Sequence, residues 1–150
     1  MNRLSHTHSH YYRQTLNLSH NKEVITLLKA EHLKQGEDAE AACCKHLESQ
    51  GLKLIDRNFS CRSGEIDLIM LDTQTLVFVE VRFRKNNFFG GGLESITRSK
   101  QQKLRNTAEL YLQQNNQYKN ARFDVVSMSK NTQTSNNEQE YTFEWVTNAF

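Results

Sequence analysis

The chain has 150 residues, of which 37% are hydrophobic, and a formal net charge of only +2. This length supports one ordinary hydrophobic core, and no stretch approaches the ~18 consecutive apolar residues of a membrane-spanning helix. The polar, histidine-containing start does not fit a secretory signal. Because the three cysteines form an odd set, which is typical of free thiols in a reducing compartment, we expect a cytoplasmic protein.

The first 32 residues are predicted to be an N-terminal extension that is partly disordered. Residues 1–21 are polar, with three alternating histidines, and lack the apolar pattern of a packed element. Residues 22–34 show helical apolar spacing but are poorly capped. The remaining residues, 33–150, are predicted to form one α/β domain.

This domain opens with a predicted helix at residues 36–50 that ends at Gly51, because glycine is a common C-terminal stop. Its apolar stripe is Ala39, Ala42, Cys43 and Leu47. Alternation of apolar and polar residues then predicts three strands. They span residues 52–59, 64–71 and 76–83, and the polar link 72–75 makes the last two a hairpin.

A second helix is predicted to start between Ser95 and Ser99 and to run to about Gln114. Its core stripe is Ile96, Leu104, Ala108 and Tyr111. Strands at residues 122–128 and 141–147 follow. The predicted order is therefore helix, three strands, helix, two strands.

Two carboxylates are predicted to face each other in the hairpin. If the polar link closes symmetrically, Leu71 pairs with Leu76 and, four residues outward, Asp67 pairs with Glu80. Directly opposed residues share a face of the sheet, with Cβ atoms roughly 5 Å apart. Their repulsion costs stability unless a cation or proton lies between them. Since Mg²⁺ takes one or two carboxylates and leaves positions for water and phosphate, the pair predicts a site for a hard divalent cation.

Several basic residues follow Glu80 in the sequence. Arg82 shares a face with Glu80 because the two are two residues apart on one strand, and more basic residues follow, which suits a phosphate-rich polyanion. An alternative stays open: a wet sheet face on which Glu65 pairs with Arg82 and Asp67 is solvated. The nucleic-acid-binding candidates are Arg82, Arg84, Lys85, Arg98, Lys100 and Lys103.

The hairpin motifs GEIDLI at residues 64–69 and VFVEVR at residues 77–82 resemble those of the YraN family, small UPF0102-type bacterial proteins. That family is similar to Holliday junction resolvases and to PD-(D/E)xK nuclease folds. The resemblance covers roughly Leu33 to the C-terminus. It extends through Gly36, Ala39, Glu40, Arg57, Asn58, Phe89, Gly90, Lys100, residues 122–126 and residues 148–150.

The resemblance implies a restriction-endonuclease-like three-layer core, in which helices flank a mixed β-sheet. It also implies Mg²⁺ or Mn²⁺ bound by Asp67 and Glu80, with Glu40 as a helix carboxylate approaching the same centre. Resolvase-like proteins act as symmetric dimers, so a homodimer is a further expectation. No membrane is expected as a partner.

The chain departs from the family's nuclease pattern at Arg82, where the Glu-x-Lys element has lysine. An arginine cannot act as a general base, although it can hold a phosphate or stabilise developing negative charge. Lys100 lies at helical spacing between Ile96 and Leu104 and is a candidate substitute. Its alternative is a lysine that snorkels at the helix edge.

The leading hypothesis is a metal-dependent endonuclease that hydrolyses DNA phosphodiester bonds, including those of branched or structured DNA. Its catalytic residues would be Asp67, Glu80, Arg82, Glu40 and Lys100. A second hypothesis is a catalytically inactive nucleic-acid-binding module with the same fold, and a third is an adaptor that binds a protein partner.

Overall fold

The computed structural model describes residues 7–84, 96–131 and 141–150, with side chains from residue 22 onward apart from residue 32. The described elements follow the predicted order of helix, three strands, helix, two strands, and each strand lies within two residues of its predicted bounds. They are α1 (Thr7–Ser49), β1 (Lys53–Cys61), β2 (Gly64–Asp72), β3 (Thr75–Arg84), α2 (Arg98–Gln114), β4 (Asn120–Lys130) and β5 (Tyr141–Val146).

Helix α1 is longer than the sequence pattern predicts. It begins at Thr7, inside the segment expected to be disordered, and continues through Gly36, where the pattern starts a new helix. The chain contains no proline, and a glycine inside a helix costs only ~1 kcal/mol, which a long hydrogen-bonded helix tolerates. The chain divides into two compact units, Met1–Glu37 and Asp38–Phe150, and α1 contributes residues to both.

The part of α1 in the first unit exposes large apolar side chains. They are Val24, Ile25, Leu27, Leu28 and Leu33. Polar and charged residues are interspersed among them. Within the described part of the chain, neither helix is long and apolar enough to cross a membrane.

Gly51 ends α1 as predicted. The N–H of Gly51 donates to the carbonyl of Glu48, and the N–H of Leu52 donates to the carbonyl of Leu47, the pair of bonds that defines a Schellman motif. This motif requires a left-handed residue, and Gly51 has φ of 97°. Leu47 and Leu52 are both buried in the same core, so the motif also directs the chain into β1.

The five strands form one mixed sheet in the order β1-β2-β3-β4-β5. Strands β3 and β4 are parallel, and the other neighbours are antiparallel. In the hairpin, Leu71 pairs with Leu76, and Asp72 pairs with Thr75 across a two-residue turn. The predicted hairpin register is confirmed from the turn to the pair of Leu68 with Val79.

Each face of the sheet carries a hydrophobic core. Residues from the C-terminal part of α1 fill one core: Ala39, Cys43, Cys44 and Leu47. Residues of α2 fill the other: Leu104, Ala108 and Tyr111. The second unit therefore has helix, sheet and helix layers, which confirms the predicted α/β class with a mixed sheet flanked by helices.

A buried aspartate ties the C-terminal segment to β4. The Asp124 side chain is fully buried and accepts hydrogen bonds from the Arg122 guanidinium, the Trp145 indole and the backbone N–H of Asn148. Arg122 also contacts Asp72, at 2.7 Å. A buried carboxylate is tolerated only when it is paired and hydrogen-bonded, and this network meets both conditions.

Candidate metal and phosphate site

Strands β2 and β3 separate at the carboxylate pair. Their pairing ends at Leu68 and Val79, whereas each strand continues to pair with its other neighbour, β1 or β4. Asp67 and Glu80 are the next residues outward. The backbone N–H of Val81 donates to Asp67 Oδ2 at 2.7 Å, so a side-chain carboxylate bridges the two strands beyond their last backbone pair.

The alternation of β2 is interrupted beside Asp67. Ile66 and Ile69 both contribute to the core on the α2 face although they are three residues apart, whereas Leu68 contributes to the core on the α1 face. A strand with strict two-residue alternation cannot do this. Asp67 therefore lies at an irregular point of β2, a detail that the simple prediction of opposed side chains does not contain.

Glu80 is a buried carboxylate in the central strand, with 4% of its side chain exposed. Its Oε1 contacts two cations: Lys100 Nζ at 2.9 Å and Arg82 Nη2 at 3.3 Å. Its Oε2 is buried and has no hydrogen-bond partner among the described residues. A buried carboxylate oxygen without a donor is costly, and this part of the site lacks a compensating hydrogen bond among the described residues.

Lys100 reaches Glu80 from the first turn of α2. Thr97 caps this helix, because its hydroxyl accepts the Lys100 backbone N–H at 3.2 Å. The Lys100 side chain is 34% exposed, as is that of Arg82. The structure thus joins Lys100 and Arg82 to the same oxygen of Glu80, and Arg82 pairs with this residue rather than with Glu65.

The environment of Asp67 disfavours its charged form. Burial, together with the negative charges of Glu80 and Glu40, raises the pKa of Asp67 to about 7, against the opposing effects of the Val81 hydrogen bond and the Lys100 ammonium. Groups from β3, α1 and α2 all act on this carboxyl. Asp67 therefore interacts electrostatically with charged residues from all three layers.

Glu40, the predicted third carboxylate, lies in the second unit on α1 and is half-buried. It is close enough for its charge to raise the pKa of Asp67. Among the described residues, however, no group of three or more His, Cys, Asp or Glu side chains is arranged to hold a metal ion. Asp67 and Glu80 form the carboxylate centre, and Glu40 approaches it without completing a three-ligand cluster.

The remaining basic candidates are Arg84, Lys85, Arg98 and Lys103. Arg84 is half-buried at the end of β3 and has interactions of its own. Arg98 and Lys103 are exposed on α2. Lys85 lies outside the described residues. Of the predicted nucleic-acid-binding residues, Arg82 and Lys100 are the ones that contact the carboxylate centre.

A groove lined by residues of α1, β4 and β5 contains two lysines, Lys45 and Lys130, that no sequence pattern indicates. It has a volume of about 510 Å³ and is lined by Asp38, Ala41, Ala42, Lys45, Lys130 and Tyr141. Because β3 and β4 are parallel, Lys130 lies at the same strand ends as Arg82 and Arg84. Lys45 and Lys130 are far apart in sequence, so no local pattern could have identified them.

Comparison with known proteins assigns the same part of the chain to one family. A protein-family model with the description "Uncharacterised protein family UPF0102" matches residues 39–128. These residues include both carboxylates, Arg82 and Lys100.

Individual relatives agree along most of their length. The chain is 45% identical over 123 residues to a UPF0102 protein of Stutzerimonas stutzeri, covering 81% of this chain and 98% of the relative. It is 45% identical over 121 residues to one of Pseudomonas fluorescens, covering 79% and 94%. For one of Alcanivorax borkumensis the identity is 44% over 117 residues, covering 77% and 90%.

Proposed function

The chain belongs to the uncharacterised protein family UPF0102, and we propose that it is a metal-dependent endonuclease that hydrolyses phosphodiester bonds of DNA. The observation that carries the proposal is the buried Glu80, whose Oε2 has no hydrogen-bond partner in the described part of the chain and whose Oε1 contacts two cations. Its charge also acts on Asp67, because it raises the pKa of that carboxyl. Anionic ligands for a metal and cationic groups for a phosphate thus occur within one cluster. This combination is what phosphoryl chemistry requires.

The donor set fits a hard divalent cation. Asp67 and Glu80 would hold Mg²⁺ or Mn²⁺ through carboxylate oxygens, as is usual for ions that also bind water and phosphate. The unpartnered Glu80 Oε2 is one such oxygen. When bound, the ion would lower the pKa of a water molecule and offset charge that develops in the transition state.

The chain's own cations would act on the phosphate. Arg82 has a buried Nε without a hydrogen-bond partner among the described residues, so its guanidinium retains donors for a phosphate oxygen. It keeps its proton at ordinary pH and so would bind and orient rather than accept a proton. Lys100, which lies in the α2 layer rather than in the sheet, would hold a second oxygen of the phosphate. Glu40 would act through its charge on Asp67.

The substrate, compartment and assembly are expectations that follow from the family resemblance and from the cysteines. A resolvase-like protein would act on branched or otherwise structured DNA as a homodimer, a substrate assignment that depends on analogy. The cysteines Cys43, Cys44 and Cys61 are free. Free thiols are usual in the cytoplasm, which is the compartment we propose.

The test is cleavage of labelled linear, flapped and four-way-junction DNA with Mg²⁺ or Mn²⁺. Asp67→Asn and Glu80→Gln keep the side-chain shapes and remove the charges, so each should reduce cleavage by at least about a hundredfold. Glu65→Gln is the matched control, because Glu65 is exposed on the same strand two residues from Asp67. Cleavage should also stop when a chelator is added.

A second candidate function is a nucleic-acid-binding module without catalysis. Arg82 in place of lysine favours it, as does the pairing of Glu80 Oε1 with protein cations. DNA binding that weakens with salt, together with no cleavage of any substrate, would select this function. Arg82→Lys discriminates further: an increase in cleavage supports the nuclease, whereas unchanged inactivity with intact binding supports the module.

A further inference from the structure

The ion pair between Lys100 and Glu80 joins a flexible, partly exposed side chain to a buried carboxylate. Lys100 Nζ lies 2.9 Å from Glu80 Oε1, but about a third of the Lys100 side chain is exposed. A lysine has a flexible four-carbon stem and a strongly hydrated ammonium group, so it can leave such a contact for water. Glu80 has no comparable freedom, since it lies in the central strand and is 4% exposed.

The Lys100 ammonium group already contacts the carboxylate that would hold a metal ion. Lys100 also acts on Asp67, because its charge lowers the pKa of that carboxyl against the effect of burial. One ammonium group therefore stabilises both negative charges. A divalent cation that used the same carboxylates would be repelled by this ammonium at short range.

We propose that Lys100 competes with divalent cations for Glu80, so that this ion pair sets the metal affinity of the site. In the metal-free protein, Lys100 neutralises the carboxylate. When a cation occupies the centre, Lys100 is released from Glu80 and becomes available to a phosphate oxygen. This inference rests on the proposed function, because it uses the same two carboxylates as metal ligands.

Metal binding in the absence of DNA tests the competition directly. Mn²⁺ and Mg²⁺ affinities are measured by calorimetry, and the rise in melting temperature with each ion is measured in parallel, for wild type, Lys100→Gln, Lys100→Arg and Lys103→Gln. Lys100→Gln should bind Mn²⁺ about tenfold more tightly, because a repelling charge is removed. Lys100→Arg retains the charge and should remain close to wild type.

Lys103→Gln is the matched control, since Lys103 is an exposed lysine one turn further along α2. It should leave the affinity unchanged. Without metal, Lys100→Gln should melt at a lower temperature than wild type, because Glu80 loses a partner. Added Mn²⁺ should raise its melting temperature more than that of wild type, as expected for tighter binding to the folded state.

The outcomes separate this inference from the proposed function. Equal or weaker Mn²⁺ binding by Lys100→Gln overturns the competition, while DNA cleavage that a chelator abolishes would leave the nuclease proposal intact. Tighter binding without any cleavage supports the competition and rejects the nuclease. No binding by either protein also overturns the competition. If Lys100→Gln does not fold, Arg82→Gln, which removes the other cation on Glu80 Oε1, must bind Mn²⁺ more tightly than wild type.

Discussion

The substitution Asp67→Asn should stabilise the metal-free protein at neutral and alkaline pH. The pKa of Asp67 is raised from 3.8 to about 7, chiefly by burial and by the charge of Glu80. A carboxyl group with a raised pKa binds its proton more tightly in the folded state. Its favourable contribution is therefore complete below the unfolded value near 3.8 and is lost as the pH rises through about 7. Asparagine does not titrate, and its oxygen can still accept the Val81 N–H.

The expected magnitude follows from the size of this rise. At ~1.36 kcal/mol for each pKa unit, a change from 3.8 to about 7 corresponds to at most ~4 kcal/mol. The variant should thus match wild type near pH 4 and exceed it by up to ~4 kcal/mol at pH 8. This is a large fraction of the ~5–15 kcal/mol that stabilises a typical domain.

Urea unfolding with a chelator present, at intervals from pH 4.5 to pH 8, measures the difference in free energy of unfolding between the two proteins. Asp72→Asn is the control, because hydrogen bonding to Arg122 lowers the pKa of Asp72. Its titration lies below this pH range, so its difference from wild type should be constant. A difference for Asp67→Asn that is also constant, or that favours wild type at high pH, would refute the assigned environment of Asp67.

Two further predictions concern the scaffold. Asp124→Asn should lower the free energy of unfolding by ~3–5 kcal/mol in urea titrations, because it removes the fully buried carboxylate that pairs with Arg122. Glu144→Gln, an exposed change on β5, should have little effect. Gly51→Ala should cost ~1–2 kcal/mol, because φ is 97° there, whereas Gly36→Ala, inside α1 with no atom within 4 Å of a new Cβ, should increase thermal stability. Equal effects of the two glycine changes would contradict the assigned backbone at Gly51.

The strands could be predicted because local sequence determines them. Most residues of β2 and β3 are apolar, and several are β-branched. The two-residue turn between Asp72 and Thr75 leaves one register, in which Leu71 pairs with Leu76. Once that register is known, Asp67 and Glu80 must come close. The hairpin and its carboxylate pair are therefore properties of about twenty consecutive residues.

Other features depend on contacts that no local pattern contains. Residues 7–21 are polar in sequence, without the apolar stripe that identifies a packed helix, so the start of α1 at Thr7 was not predicted. The irregularity of β2 beside Asp67 lies where β2 and β3 stop pairing while each keeps its outer partner. The contact between Lys100 and Glu80 joins two layers, and helical spacing alone placed Lys100 only on the inward side of α2.

The carboxylate centre places a charged side chain between apolar residues of the sheet. Val79 and Val81, which flank Glu80, belong to or pack against the apolar core on the α1 face. Glu80 itself is buried, and one of its oxygens has no partner among the residues that the structure describes. A sequence selected for stability alone would place an apolar residue there, since replacing buried ion pairs by packed apolar groups is often neutral or stabilising. Local conflicts of this kind are expected where function outweighs stability. If Asp67→Asn increases stability and abolishes chelator-sensitive DNA cleavage, the same carboxylate will account for both, and the instability of the centre will be the consequence of keeping a site for a cation.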